Sequence, residues 1–135
     1  MNPRRLLRAE GLAVFLAATA TYFLALDGPL WLYLLLALAP DISMLAYLAG
    51  PGIGSRGYNA AHTYSAPLVL AGAGLWFSTP VAVLVALVWL AHIGVDRLFG
   101  YDLKYPTAFG DTHLGRAAVP PAPAAPATDD GQVGE

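Results

Sequence analysis

Four side chains in an otherwise apolar sequence could hold a cation or move a proton: Asp41, His62, His92 and Asp96. Imidazole nitrogens and carboxylate oxygens are the ligands of zinc, manganese and iron sites, and the same groups serve as general acids and bases. His92 and Asp96 are four residues apart, so a helix puts them on one face, and Asn59 and His62, three apart, would share another. Asp41 follows Pro40, which removes a backbone hydrogen bond, kinks a helix and so bares carbonyls beside the carboxylate. Glu10, Asp111 and His113 are further candidates to sit near such a centre. Each residue also has a plainer reading. The stretch HIGVDR can be the polar end of a membrane helix with Arg97 snorkelling to lipid headgroups. His62 can be a buried histidine satisfied by Asn59, Asp41 can make a structural bond to a histidine or tyrosine, and Asp111 and His113 can stitch a loop to the bundle.

The elements that carry these residues are read from composition first. Of 135 residues 57% are hydrophobic and 12% charged, with a mean hydropathy of +0.56. A soluble domain carries about 25% charged residues. A net charge of −2 gives no reason to expect nucleic acid as a partner. The absence of cysteine excludes disulfides, thiol nucleophiles and cysteine-held clusters. The partner that the composition does imply is a lipid bilayer.

A bilayer core needs about 20 mainly apolar residues per helix. Four segments qualify: about 9–26, 29–48 (interrupted by Pro40-Asp41), 58–77 (with Pro67 inside) and 80–99. The connections are Asp27-Gly28, GPGIGSRG from Gly50 to Gly57, and Ser78-Thr79. The glycine-containing loop lacks the Lys-Ser/Thr of a phosphate-binding loop and reads as a tight turn. Gly72 and Gly74 read as close helix packing. Short connections make neighbours antiparallel, so the expected fold is all-α, an up-down four-helix transmembrane bundle.

All seven basic residues (Arg4, Arg5, Arg8, Arg56, Arg97, Lys104 and Arg116) fall on one side of that bundle. The positive-inside rule then predicts a multi-pass cell-membrane protein with both termini cytoplasmic. Trp31, Tyr33, Trp76 and Phe77 fall near the outer interface, and Tyr47, Tyr58, Phe99 and Tyr101 near the inner one. The membrane domain spans 1–116, ending in a short structured cytoplasmic loop from Gly100 to Gly115. Residues 117–135, with four prolines among small and polar residues, form a disordered tail.

The motifs RAEGL, APDISMLAYLAGPGIG, YNAAHTY and WLAHIGVDRLFGYDLKYPTAFGDTHLG resemble the bacterial family called domain of unknown function 4260, over about Arg8 to Gly115. That resemblance implies a small multi-pass membrane protein with no assigned activity. Asp102 stands where that family more often has glycine. A second similarity is to the YdjM-like membrane-bound metal-dependent hydrolases. Pro40-Asp41, His62-Thr63 and His92 with Asp96 before Gly100-Tyr101 follow that order, although the His-Arg of that group is absent and Ser43 replaces its second aspartate.

By depth, the polar groups of all four spans lie in their cytoplasmic halves, which points to one cavity open to the cytoplasm. The leading expectation is a metal-dependent hydrolase of a lipid or other membrane-associated substrate. His62, His92 and Asp96 would be metal ligands for zinc, manganese or iron, and Asp41 the catalytic base or a fourth ligand. The alternatives are a small proton- or cation-coupled transporter and a non-catalytic membrane scaffold whose polar layer fixes helix register.

Overall fold

Asn2 starts the first helix: its Oδ1 accepts the Arg4 N–H at 3.0 Å, and Pro3 takes the first helical position, where an N–H would have no helical partner. Helix α1 (Pro3–Ala20) therefore begins before the expected Ala9, and it runs into a π-helical turn, Thr21–Ala25. There follow α2 (Leu30–Leu36), a 3-10 segment (Ala39–Ala49), α3 (Pro51–Ala61), α4 (Ser65–Trp76) and α5 (Pro80–Phe99). The structure, a computed structural model, describes residues 2–101, Leu103, Asp111–Thr112 and Gly115–Arg116. The last two pairs form a short antiparallel ladder, Asp111 opposite Arg116 and Thr112 opposite Gly115. His113 and the tail 117–135 lie outside the described residues, and of Asp111 only the backbone pairing is described.

Among the described residues three segments are long and apolar enough to cross a membrane: Pro3–Ala25, Leu30–Ala49 and Pro80–Phe99. They correspond to the first, second and fourth expected spans. The third expectation needs correction. The helix foreseen over 58–77 is broken at His62–Tyr64, leaving α4 with 12 residues. Pro67 permits the break. It has no N–H for the Thr63 carbonyl and its ring crowds that carbonyl, but in the first turn of a new helix both defects are harmless.

The glycine-containing stretch is also not a tight turn. Only Gly50 turns, at φ 106°, a conformation L side chains rarely adopt; Pro51 then begins α3, which runs through the rest of the motif. The reversal lays α3 on the 3-10 segment, so close that a Cβ on Gly54 would stand 2.3 Å from the Tyr47 ring.

Helix α5 is the axis of the structure, with Ala86, Val88, Ala91, His92, Ile93, Gly94 and Arg97 buried. Helix α1 crosses it backbone to backbone: a Cβ on Gly94 would lie 2.7 Å from the Gly11 carbonyl oxygen. Small residues permit this approach, which in a bilayer replaces hydrophobic burial as the source of helix association. Gly74 packs tightly against Val83, as expected of it, whereas Gly72 meets open space. Of the expected interfacial aromatics, Trp31, Trp76, Phe77, Phe99 and Tyr101 are exposed, but Tyr58 is buried. Exposed Leu24, Leu35, Leu48 and Leu75 form a surface suited to lipid rather than to water.

Candidate metal centre

Pro40 makes the first part of the site. In an uninterrupted helix the Asp41 N–H would bond the Ala37 carbonyl. Here Asp41 N–H donates to Leu38 O instead, at 3.1 Å, in the tighter 3-10 pattern. The Ala37 carbonyl is released and accepts from His92 Nδ1 at 2.6 Å. The change to 3-10 turns at Pro40 thus frees the acceptor that orients a histidine on another helix.

The second part comes from the break after α3. His62 caps that helix, its N–H reaching Tyr58 O at 2.9 Å and Asn59 O at 3.3 Å. Its Nδ1 donates to the same Tyr58 carbonyl at 2.8 Å, and the Tyr58 ring stacks on the imidazole with centroids 3.8 Å apart and planes 6° from parallel. The break frees backbone carbonyls that, once buried, must find donors. Helix α5 supplies them: Trp89 Nε1 donates to Ala61 O at 2.6 Å and the buried Arg97 guanidinium to His62 O at 3.0 Å. Its Nη1 donates to Tyr101 O at 3.2 Å, so Arg97 does not snorkel to headgroups.

These constraints bring four side chains to one point. His62 Nε2 lies 3.4 Å from Asp41 Oδ1 and 3.3 Å from Asp96 Oδ2. His92 Nε2 lies 3.3 Å from each of the same two oxygens. The two Nε2 atoms are 3.2 Å apart, and one ligand atom from each of the four residues lies within 4.8 Å of the other three. An ion holding four ligands tetrahedrally at about 2.0–2.1 Å would set them about 3.3–3.4 Å from one another. Five of the six ligand–ligand distances match that spacing, and the sixth, between the Asp41 and Asp96 oxygens, lies within 4.8 Å.

The protonation of the rings follows from their partners. A backbone carbonyl only accepts, so both Nδ1 atoms carry the proton, and in neutral imidazoles both Nε2 atoms are bare lone pairs. Two lone pairs and two carboxylate oxygens then face each other with no donor among them. Such a set is balanced by a cation or by an added proton. Ring nitrogens fixed by an N–H bond to a carbonyl are also the usual outer support of a metal-bound histidine.

The four side chains differ in access, from 0% exposed for His62 and 6% for His92 to 15% for Asp96 and 39% for Asp41. The open edge is therefore the one carrying Asp41. It borders a cleft of about 240 Å³ that Asp41, His92 and Asp96 line together with apolar side chains of α1, α2 and α5.

Among the accessory candidates, Asn59 is half-buried one turn before His62 and contributes its backbone carbonyl, and Glu10 is exposed on α1. Neither belongs to the four-residue group. Tyr58, Trp89 and Arg97 were not anticipated as parts of the site. Their signal was weak, because an interfacial aromatic and a helix-end arginine look the same in sequence whether they face lipid or a neighbour.

No curated protein and no solved structure matches the chain. Residues 4–117 of the 135 match the family described as Domain of unknown function (DUF4260), and the chain belongs to that family.

Proposed function

We propose that this is a multi-pass membrane protein that holds a divalent metal ion with Asp41, His62, His92 and Asp96 and hydrolyses a membrane-associated substrate. One observation carries the reading: two imidazoles, each locked by its Nδ1–H on a carbonyl, turn bare Nε2 atoms toward each other and toward two carboxylates. Two nitrogen and two oxygen ligands suit zinc, manganese or iron. A divalent ion held there supplies Lewis acidity and a water that ionises near neutral pH. The protein's part is to hold three ligands rigidly and leave the fourth edge accessible, as hydrolytic sites require and closed structural sites do not. Asp41, the most exposed of the four, is placed to trade ligation for taking the proton of the attacking water.

In the same reading the chain crosses the bilayer four times, α3 and α4 together making a broken third passage. The one-sided distribution of basic residues supports placing both termini in the cytoplasm. The His/Asp group then lies toward the cytoplasmic side, where α5 has completed about 18 Å of its rise at His92.

The test is elemental analysis of protein purified in detergent without added metal. About one zinc, manganese or iron ion per chain is expected. His62→Ala and His92→Ala should each remove it. Wild-type protein without metal, or variants that keep the full content, would overturn the assignment.

A further inference from the structure

The cleft at the site has two chemically different ends. At one stand Asp41, His92 and Asp96; the remaining walls include Phe15 and Val88, Tyr33 with its hydroxyl paired to Thr19 Oγ1 at 2.7 Å, and Leu38. Leu38, which we take as the lip, is 71% exposed, on a segment that also exposes Leu34, Leu35, Ile42 and Leu45. Three other clefts, of about 310, 400 and 380 Å³, are lined without any carboxylate or imidazole. Only the cleft at the site, among these four, joins lipid-facing apolar walls to groups that can do chemistry.

Its size narrows the occupant. At about 240 Å³ it falls below the roughly 300–1,000 Å³ of a site for a drug-sized molecule. It has room for a short stretch of hydrocarbon chain. A small polar solute would leave the apolar walls unmatched, whereas a chain entering past Leu38 exchanges one apolar environment for another and brings its polar linkage to the carboxylate end.

We infer that the substrate is a lipid ester that enters sideways from the bilayer, one chain lying between α1, α2 and α5 and the ester linkage meeting Asp41 and the two ligands of α5. This rests on the hydrolase reading above. In the reaction the water oxygen bonds to the acyl carbon as the acyl carbon–oxygen bond breaks. Asp41 takes a proton from the attacking water and returns it to the departing alcohol oxygen, so no oxidant or further reactant is needed.

The experiment places the full chain in phospholipid nanodiscs with a long-chain hydroxamate, whose headgroup chelates metal and whose tail carries a photoactivated diazirine. Metal content is measured on the same sample. Cross-links at Phe15, Tyr33 and Leu38 should exceed those at the lipid-facing Leu24 and Leu75 by about tenfold, the ratio given by a preference of 1.4 kcal/mol. Leu38→Trp, which narrows the lip, should abolish the excess while the metal content stays unchanged. Val88→Phe, which fills the inner wall, should do the same if Leu38→Trp does not fold. With metal bound, labelling spread evenly over the lipid-facing leucines would overturn the lateral chain site and leave the hydrolase reading standing. Protein without metal would overturn both.

Discussion

His62 Nε2 and His92 Nε2 face each other at 3.2 Å, and each ring has its other nitrogen committed to a backbone carbonyl. Neither can donate to the other while neutral. The pair therefore stores an electrostatic requirement, and four of the five predictions below measure how the protein meets it or what holds the rings in place.

Metal should stabilise the fold measurably. A ligand bound only by the native state adds about 2.7 kcal/mol at one hundred times its dissociation constant. Chelation should lower the melting temperature in detergent, and restoring zinc or manganese should return it. In His62→Ala the melting temperature should no longer respond to either treatment.

In metal-free protein, His92→Ala should destabilise by about 1–3 kcal/mol, because it leaves Asp41 without one of its two imidazole neighbours and the Ala37 carbonyl without its donor. Asp41→Asn should partly offset the loss, since a neutral amide needs no cation. A double-mutant cycle reads the coupling. Effects additive within about 0.5 kcal/mol would mean that the two side chains do not meet.

Arg97 should matter through His62. Arg97→Ala strands the buried His62 carbonyl and should cost about 1–3 kcal/mol. Arg97→Lys keeps one donor but not the planar fork that also reaches Tyr101, so it should recover part of the stability. If Arg97 instead snorkelled to headgroups, the lysine variant would match wild type in thermal unfolding.

The crossing of α1 and α5 should tolerate no side chain. Gly94→Ala places a methyl against the Gly11 carbonyl and the Phe15 backbone, a clash that only a separation of the helices relieves. Overpacking of this kind costs about 1–3 kcal/mol. Because His92 and Asp96 flank Gly94, metal affinity should fall along with stability. Gly72→Ala, which meets open space, is the control and should change neither.

Topology is testable independently of the site. Reporter fusions after Phe77 and after Gly115 should fall on opposite sides of the membrane, and one placed before Arg4 should agree with the latter. Fusions after Phe77 and Gly115 on the same side would remove the four-passage reading.

The sequence by itself determined that the chain is helical and apolar enough for a bilayer, and where three of its long apolar segments lie, because length and hydropathy are local properties. It also marked Asp41, His62, His92 and Asp96, since ionisable groups inside apolar runs are costly enough to need a partner. Pro40 announced the kink beside Asp41, because a missing N–H acts on its own helix. Tertiary structure decided what each freed group would meet. The Ala37, Ala61 and His62 carbonyls became acceptors for His92, Trp89 and Arg97, partners 55, 28 and 35 residues away. No spacing rule links such distant positions. The break at His62 was hidden for a related reason: Pro67 permits either a kinked helix or a new one, and the choice fell to a guanidinium and an indole of α5 that pair the carbonyls a break exposes.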